Sequence, residues 1–217
     1  MFGQSGPSSP KSPQPVVINF VSDVNYDTVD RLLKTVTEQI DKGNHDITIL
    51  IGSGGGQVEP AFAAFNILRH LAAPTQITTY NIANADSAAV VLFSAGTKRY
   101  SLPGVGMRFL IHGAFKLNGN VPSFLTSEIL EQQLAQVNSS NQMVIQAMEA
   151  ATKDHQADIL AAVKSQRILS AEQAKDWGLV QEIKDTLFPP NTLMLVVSDS
   201  QPKPEQVSIG RVVTSER

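Results

Sequence analysis

Apolar residues recur at helical spacing in Val29, Leu32, Leu33, Val36 and Ile40, which predicts a helix over about Tyr26–Lys42. Asn25 or Asp27 can cap its start, and Gly43-Asn44 ends it. Short apolar runs flank this pattern. Val16–Val21 and Asp46–Gly52 read as strands, the second of the buried type, and it runs directly into Gly54-Gly55-Gly56. A helical pattern follows over Glu59–Leu71, then a strand over Gln76–Ile82 and a loop over Ala83–Asp86. A helix of small residues starts near Ser87 and runs to about Ala95, with further strands at Lys98–Leu102 and Met107–Ile111. Alternation of strand and helix argues for an α/β architecture with mainly parallel pairing.

After His112 a Gly-Asn loop leads into a long helix, about Thr126–Thr152. At ~1.5 Å per residue it is on the order of 40 Å long. Its Leu130, Leu134, Val137, Val144 and Met148 form a narrow apolar stripe interrupted by Asn141. Such a helix either crosses its own domain or projects to pair with another subunit. Shorter helices are expected at Gln156–Lys164 and at Ser170–Trp177, the latter capped by Ser170. Leu179–Ile183 reads as a final core strand, Pro189-Pro190 marks the edge of the core, and the tail carries one strand signal at Leu193–Val197. The organisation expected is a flexible arm at 1–15, a main domain at 16–187 and an extension at 188–217.

Composition narrows the chemistry. The chain has 217 residues, 42 % hydrophobic, with a formal net charge of −3, so it can bury a sizeable core and carries no basic footprint for nucleic acid. It has no cysteine, which removes disulfides, thiol nucleophiles and cysteine metal sites. No apolar run reaches the length of a membrane span, and the stretch from Met1 to Pro15 is polar and rich in Ser, Pro and Gly, unlike a secretory signal. A soluble, cytoplasmic protein without metal or cofactor is expected.

Three places carry candidate chemistry. Ser53-Gly54-Gly55-Gly56 joins a strand to a helix; its glycines let a ligand approach backbone amides, although by itself it is also an ordinary tight turn. Ser87 opens the small-residue helix, where a serine is ordinarily an N-cap, but where it can also act as a nucleophile beside the Ala88 N–H. His112 closes the apolar run Phe109–Ile111, where a histidine is ordinarily a polar cap, but where it can also take a hydroxyl proton near neutral pH.

Taken in order, Ile51–Gly56, then Ala85-Asp86-Ser87-Ala88-Ala89 with Phe93–Gly96, then Leu102-Pro103 with Leu110-Ile111-His112, and last Arg167–Ala174 with Trp177–Val180, resemble the successive blocks of the Clp protease proteolytic subunit. The 25-residue interval from Ser87 to His112 fits that family, and the resemblance covers about Val16–Asp185. It implies a crotonase-like (ClpP-type) fold of repeated ββα units with a long protruding helix. It implies a serine endopeptidase in which Ser87 attacks the peptide carbonyl, His112 is the general base, and the N–H groups of Gly56 and Ala88 hold the oxyanion. It implies peptide or unfolded-protein substrates, homo-oligomeric rings stacked through the long helix around a chamber, a partner AAA+ unfoldase, and an arm that gates the pore. The family's aspartate position, just before Arg167, holds Gln166 here, Gly54 stands where the family has Pro, and Asp86 stands where it has a small residue. An amide can orient an imidazole but adds no charge, and the Asp-to-amide change in an optimised triad costs about 10⁴ in rate. Other readings are a catalytically weak assembly subunit and an acyl-CoA-processing enzyme of the crotonase fold. Asp86 or a carboxylate from a neighbouring subunit are other candidates for the third member.

Overall fold

A computed structural model of the chain describes residues 14–115, 126–152, 154–190, 192–198 and 206–207. Most of the expected arm and the loop at 116–125 lie outside these residues.

One mixed sheet forms the frame. Strand β1 (Val16–Phe20) pairs in parallel with β2 (Asp46–Ser53), and β2 pairs in parallel with β3 (Gln76–Asp86). The first part of β3 pairs with β4 (Lys98–Ser101), and its last residues pair with β5 (Arg108–Ile111), both in parallel. Strand β6 (Arg167–Ser170) closes that edge antiparallel to β5, and β7 (Glu182–Ile183) lies beside β4. On the other side, β8 (Leu193–Val197) runs parallel to β1, and β9 (Gln206–Val207) pairs antiparallel to β8.

Helices α1 (Tyr26–Asp41), α2 (Val58–Arg69), α3 (Ala88–Ser94), α4 (Ser127–Ala151), α5 (Gln156–Ser165) and α6 (Ala171–Asp176) connect these strands. Helix α1 begins with a reciprocal capping box. Asn25 Oδ1 accepts from the Thr28 N–H at 2.9 Å, and Thr28 Oγ1 accepts from the Asn25 N–H at 3.1 Å. Helix α3 is buried along its whole length and packs on α2 and α4. Its Phe93 meets Phe109 of β5 edge-to-face, 4.9 Å between centroids. The second face of the sheet is smaller: Val17, Leu50 and Tyr80 are covered by Leu187, Phe188 and Met194.

Several expectations are corrected. Ala83–Asp86, expected as a loop, continues β3, because its polar residues find partners there: Asn84 Nδ2 donates to Ser53 O at 3.0 Å and the strand end pairs with β5. The expected strand at Leu179–Ile183 shortens to Glu182–Ile183. Leu179 and Val180 are buried in the preceding turn, where the Val180 N–H donates to Ala174 O and the Leu179 carbonyl accepts from Arg99. The tail strand joins the main sheet, with Leu195 and Val197 buried, so the core continues past Pro189-Pro190. Strand β6 has no periodic signal, because only Leu169 of its four residues is buried.

Helix α4 divides into two halves. From Ser140 onward it buries Val144, Ile145, Ala147 and Met148 in the domain. Between Ser127 and Ser139 no residue is buried, and Leu130 and Leu134 are 51 % and 60 % exposed. The second half therefore crosses its own domain, and the first half is exposed on this chain.

Candidate functional site

Ser87 sits at the junction where β3 ends at Asp86 and α3 begins at Ala88. Its φ of 56° and ψ of −124° are outside the regions open to L-residues, and its side chain makes no capping bond. Such a conformation stores about 1–3 kcal/mol and persists only where its surroundings fix it. Here they do. The Ser87 N–H donates to Leu110 O at 2.7 Å. The Leu110 N–H in turn donates to Asp86 Oδ1 at 3.2 Å. Asp86, with a side chain only 4 % exposed, also accepts from Arg108 Nη2 at 2.8 Å and from Asn84 Nδ2 at 2.9 Å. Its carboxylate is thus committed to the β3–β5 seam behind Ser87.

The glycine turn closes against the same junction. Gly55 has φ +93°, and a Cβ there would collide with the Asp86 carbonyl and lie 2.7 Å from Ser87 Cβ. Only glycine lets these two backbones approach so closely. Gly56, at φ +145°, is packed against Val24, whose carbonyl accepts from the Gln57 N–H. Ala88 is the first residue of α3, so its N–H has no acceptor within the helix.

A cleft of about 990 Å³ brings these parts together. Gly54, Gly55, Gly56, Ser87 and His112 line it with Val24, Val58, Val137 and Met143, and Asp23 and Glu59 add acidic groups. Glu59, in the first turn of α2, accepts from Ser140 Oγ of α4 at 2.9 Å, which ties two walls of the cleft.

His112 follows the last residue of β5 and is half-buried, stacked on Phe115 at 5.5 Å between centroids. Its Nδ1 lies 2.6 Å from Gly113 O. A carbonyl oxygen only accepts, so Nδ1 carries the proton, and in the neutral ring Nε2 holds the lone pair. That tautomer suits a general base. Ser87 and His112 share the cleft without a direct hydrogen bond.

Gln166 stands one step past the Ile111–Arg167 pair of the antiparallel β5–β6 ladder, across from His112. It ends α5 at φ 57°, is exposed, and its amide makes no hydrogen bond to His112. Asp86 does not reach His112 either, for the reason given above. Asn141, which the sequence marked only as an interruption of the apolar stripe, borders the site. Its Oδ1 accepts from the Ala114 N–H at 2.6 Å, next to His112. The one available signal was its polarity within the apolar stripe of α4.

The profile of the Clp protease family matches residues 15–186. The chain is 32 % identical over 150 residues to the ATP-dependent Clp protease proteolytic subunit 1 of Mycolicibacterium paratuberculosis, covering 68 % of this chain and 67 % of that protein. It is also 32 % identical over 150 residues to the proteolytic subunit 2 of Mycobacterium leprae, covering 68 % and 66 %. The chain thus spans about two thirds of the length of these relatives. A solved ClpP1 mutant from Listeria monocytogenes superposes with a TM-score of 0.63 at 22 % identity, over 78 % of this chain and 91 % of that one, and so has the same fold. Among the described residues no helix is long and apolar enough to cross a membrane, and no His, Asp or Glu cluster could hold a metal ion.

Proposed function

The chain belongs to the Clp protease family, and from that premise we propose that it is a serine peptidase subunit with Ser87 as nucleophile and His112 as general base. The observation that carries this reading is Ser87 held at φ 56° in the cleft it shares with His112. A serine used only as an N-cap takes an extended backbone and bonds its own helix; Ser87 does neither.

In the proposed reaction Ser87 Oγ attacks the peptide carbonyl carbon as its proton passes to His112 Nε2. The N–H groups of Gly56 and Ala88 stabilise the oxyanion, preorganised donors that need no rearrangement as charge develops. His112 then returns the proton to the leaving amine, and a water deprotonated by His112 releases the acyl group. Turnover of a fluorogenic unstructured peptide, with a burst of acyl-enzyme, is the expected result. Turnover of an acyl-CoA thioester without peptide cleavage would point to the other crotonase-fold chemistry. Inertness toward both would leave an assembly role.

The exposed half of α4 supports an assembled state, with peptide or unfolded protein as substrate, stacked rings of this chain, and an AAA+ unfoldase as the unfolding partner. Leu130 and Leu134 are one turn apart on that half, an apolar pair suited to a facing helix. Light scattering at micromolar concentration should give a mass several-fold above that of one chain, and Leu130→Glu with Leu134→Glu should lower it. A monomeric wild type contradicts the assembly.

A further inference from the structure

We propose that the third member of the catalytic set is the peptide group joining Gly113 to Ala114, and that Asn141 is the positioning residue that fixes and polarises it. The inference rests on the reading of His112 as general base. Both ends of that one peptide are engaged. Its carbonyl, Gly113 O, accepts from His112 Nδ1 at 2.6 Å, and its N–H, on Ala114, donates to Asn141 Oδ1 at 2.6 Å. The result is a continuous chain, imidazole to peptide to side-chain amide, in which each bond polarises the next. Pull on the Ala114 N–H by Asn141 makes the Gly113 oxygen a stronger acceptor. That favours the Nδ1–H tautomer and the imidazolium that forms when Ser87 gives up its proton.

Packing holds the unit in place. A Cβ built on Gly113 would lie 3.0 Å from Val163 O of α5 and 3.2 Å from Asn141 Oδ1 of α4. The peptide is therefore wedged between two helices, and no side chain fits at 113 without moving one of them. Asn141 occurs where α4 turns from its exposed half to its buried half, one residue after Ser140, which holds Glu59. Gln166, across the β5–β6 ladder from His112, is exposed and its amide makes no hydrogen bond to the imidazole. A neutral relay of this kind orients the base without supplying the full charge of a carboxylate.

The test compares Asn141→Leu, Asn141→Asp and Gln166→Ala in the full chain, by peptide kinetics and by ¹⁵N NMR of histidine-labelled protein. Asn141→Leu keeps the shape of the side chain and removes the acceptor; kcat should fall about 10–100-fold, the range seen when the partner that orients a metal-bound histidine is removed, with KM changed less than about twofold. Asn141→Asp keeps an acceptor oxygen and should restore kcat to wild type or above. The NMR should show His112 with its proton on Nδ1 in wild type and in Asn141→Asp, and a tautomer mixture in Asn141→Leu. If kcat and KM of Asn141→Leu both stay at wild-type values, the inference fails. It also fails if Asn141→Asp loses as much as Asn141→Leu, or if Gln166→Ala costs the larger factor. Should Asn141→Leu not fold, Nε2–H as the major His112 tautomer in wild type overturns the proposal, and Nδ1–H there with rescue by Asn141→Asp supports it. Wild type that cleaves no peptide defeats the peptidase reading alone, since the tautomer and its dependence on Asn141 are read without turnover.

Discussion

Ser87→Ala should reduce peptide hydrolysis to the level of the empty oxyanion site, while the protein keeps its fold and its oligomeric mass. Removing the nucleophile of an optimised triad costs about 10⁶ in kcat. A chain with no carboxylate on its histidine can start lower by up to about 10⁴, so the fall expected here is at least about 10²-fold. The substitution deletes one hydroxyl from the lining of the cleft and leaves the bond from the residue 87 N–H to Leu110 O in place. Alanine still has to adopt φ 56°, so a small drop in melting temperature is expected and a large one is not. Steady-state kinetics with a fluorogenic peptide, alongside thermal melting, checks both. Undiminished cleavage would remove Ser87 from the mechanism.

The second large effect concerns stability. Arg99 is 6 % exposed, and its guanidinium bonds to main-chain carbonyls: Gly96 O at 2.9 Å, Ala151 O at 2.7 Å, Leu179 O at 2.9 Å and Gly178 O at 3.3 Å. It joins the end of α4, the turn before β7 and the start of β4. Ala151 is the last residue of α4, where the helix leaves carbonyls without internal partners and a cation is favoured. Burial, with the charge of Arg69 as a lesser cause, lowers the Arg99 pKa to about 10, so the group remains a cation at neutral pH. Arg99→Met fills most of the volume and leaves these carbonyls in the core without a donor. The expected loss is on the order of 4 kcal/mol. For a domain of this size that lowers Tm by about 8–16 °C. A shift below about 2 °C would show that the carbonyls find other donors.

How much of this was legible in the sequence depends on which force decides each element. Helix α1 announces itself, because its buried Val29, Leu32 and Val36 repeat at helical spacing and Asn25 caps it by a local bond. Short strands β1 and β2 are likewise carried by their own apolar runs. The end of β3 was not legible, since Asn84 and Asp86 are polar residues made strand-like by distant partners, Ser53 and Arg108. Strand β6 was hidden for the same reason, being fixed by pairing with β5 rather than by a periodic face.

The site divides in the same way. The Gly54-Gly55-Gly56 turn, Ser87 and His112 stand out by residue type and interval, and the structure lines one cleft with all of them. The backbone conformation of Ser87 was not legible, because a serine before a helix reads as a cap. The slot before Arg167 directed attention to Gln166, which the β5–β6 ladder does set across from His112, at a positive φ and without a hydrogen bond to the imidazole. The partner that His112 does have is a main-chain carbonyl, a group every residue carries and no sequence pattern marks.

Labelling of the wild-type chain with a fluorophosphonate, followed by mass mapping of the modified peptide, tests whether Ser87 is an activated nucleophile. Such a probe forms a bond only with a serine whose proton has a base to go to and whose oxyanion has donors to meet it. One phosphonylated residue is expected, Ser87, with labelling lost in His112→Ala. No adduct on the assembled wild type, or an adduct on another serine, would contradict that assignment.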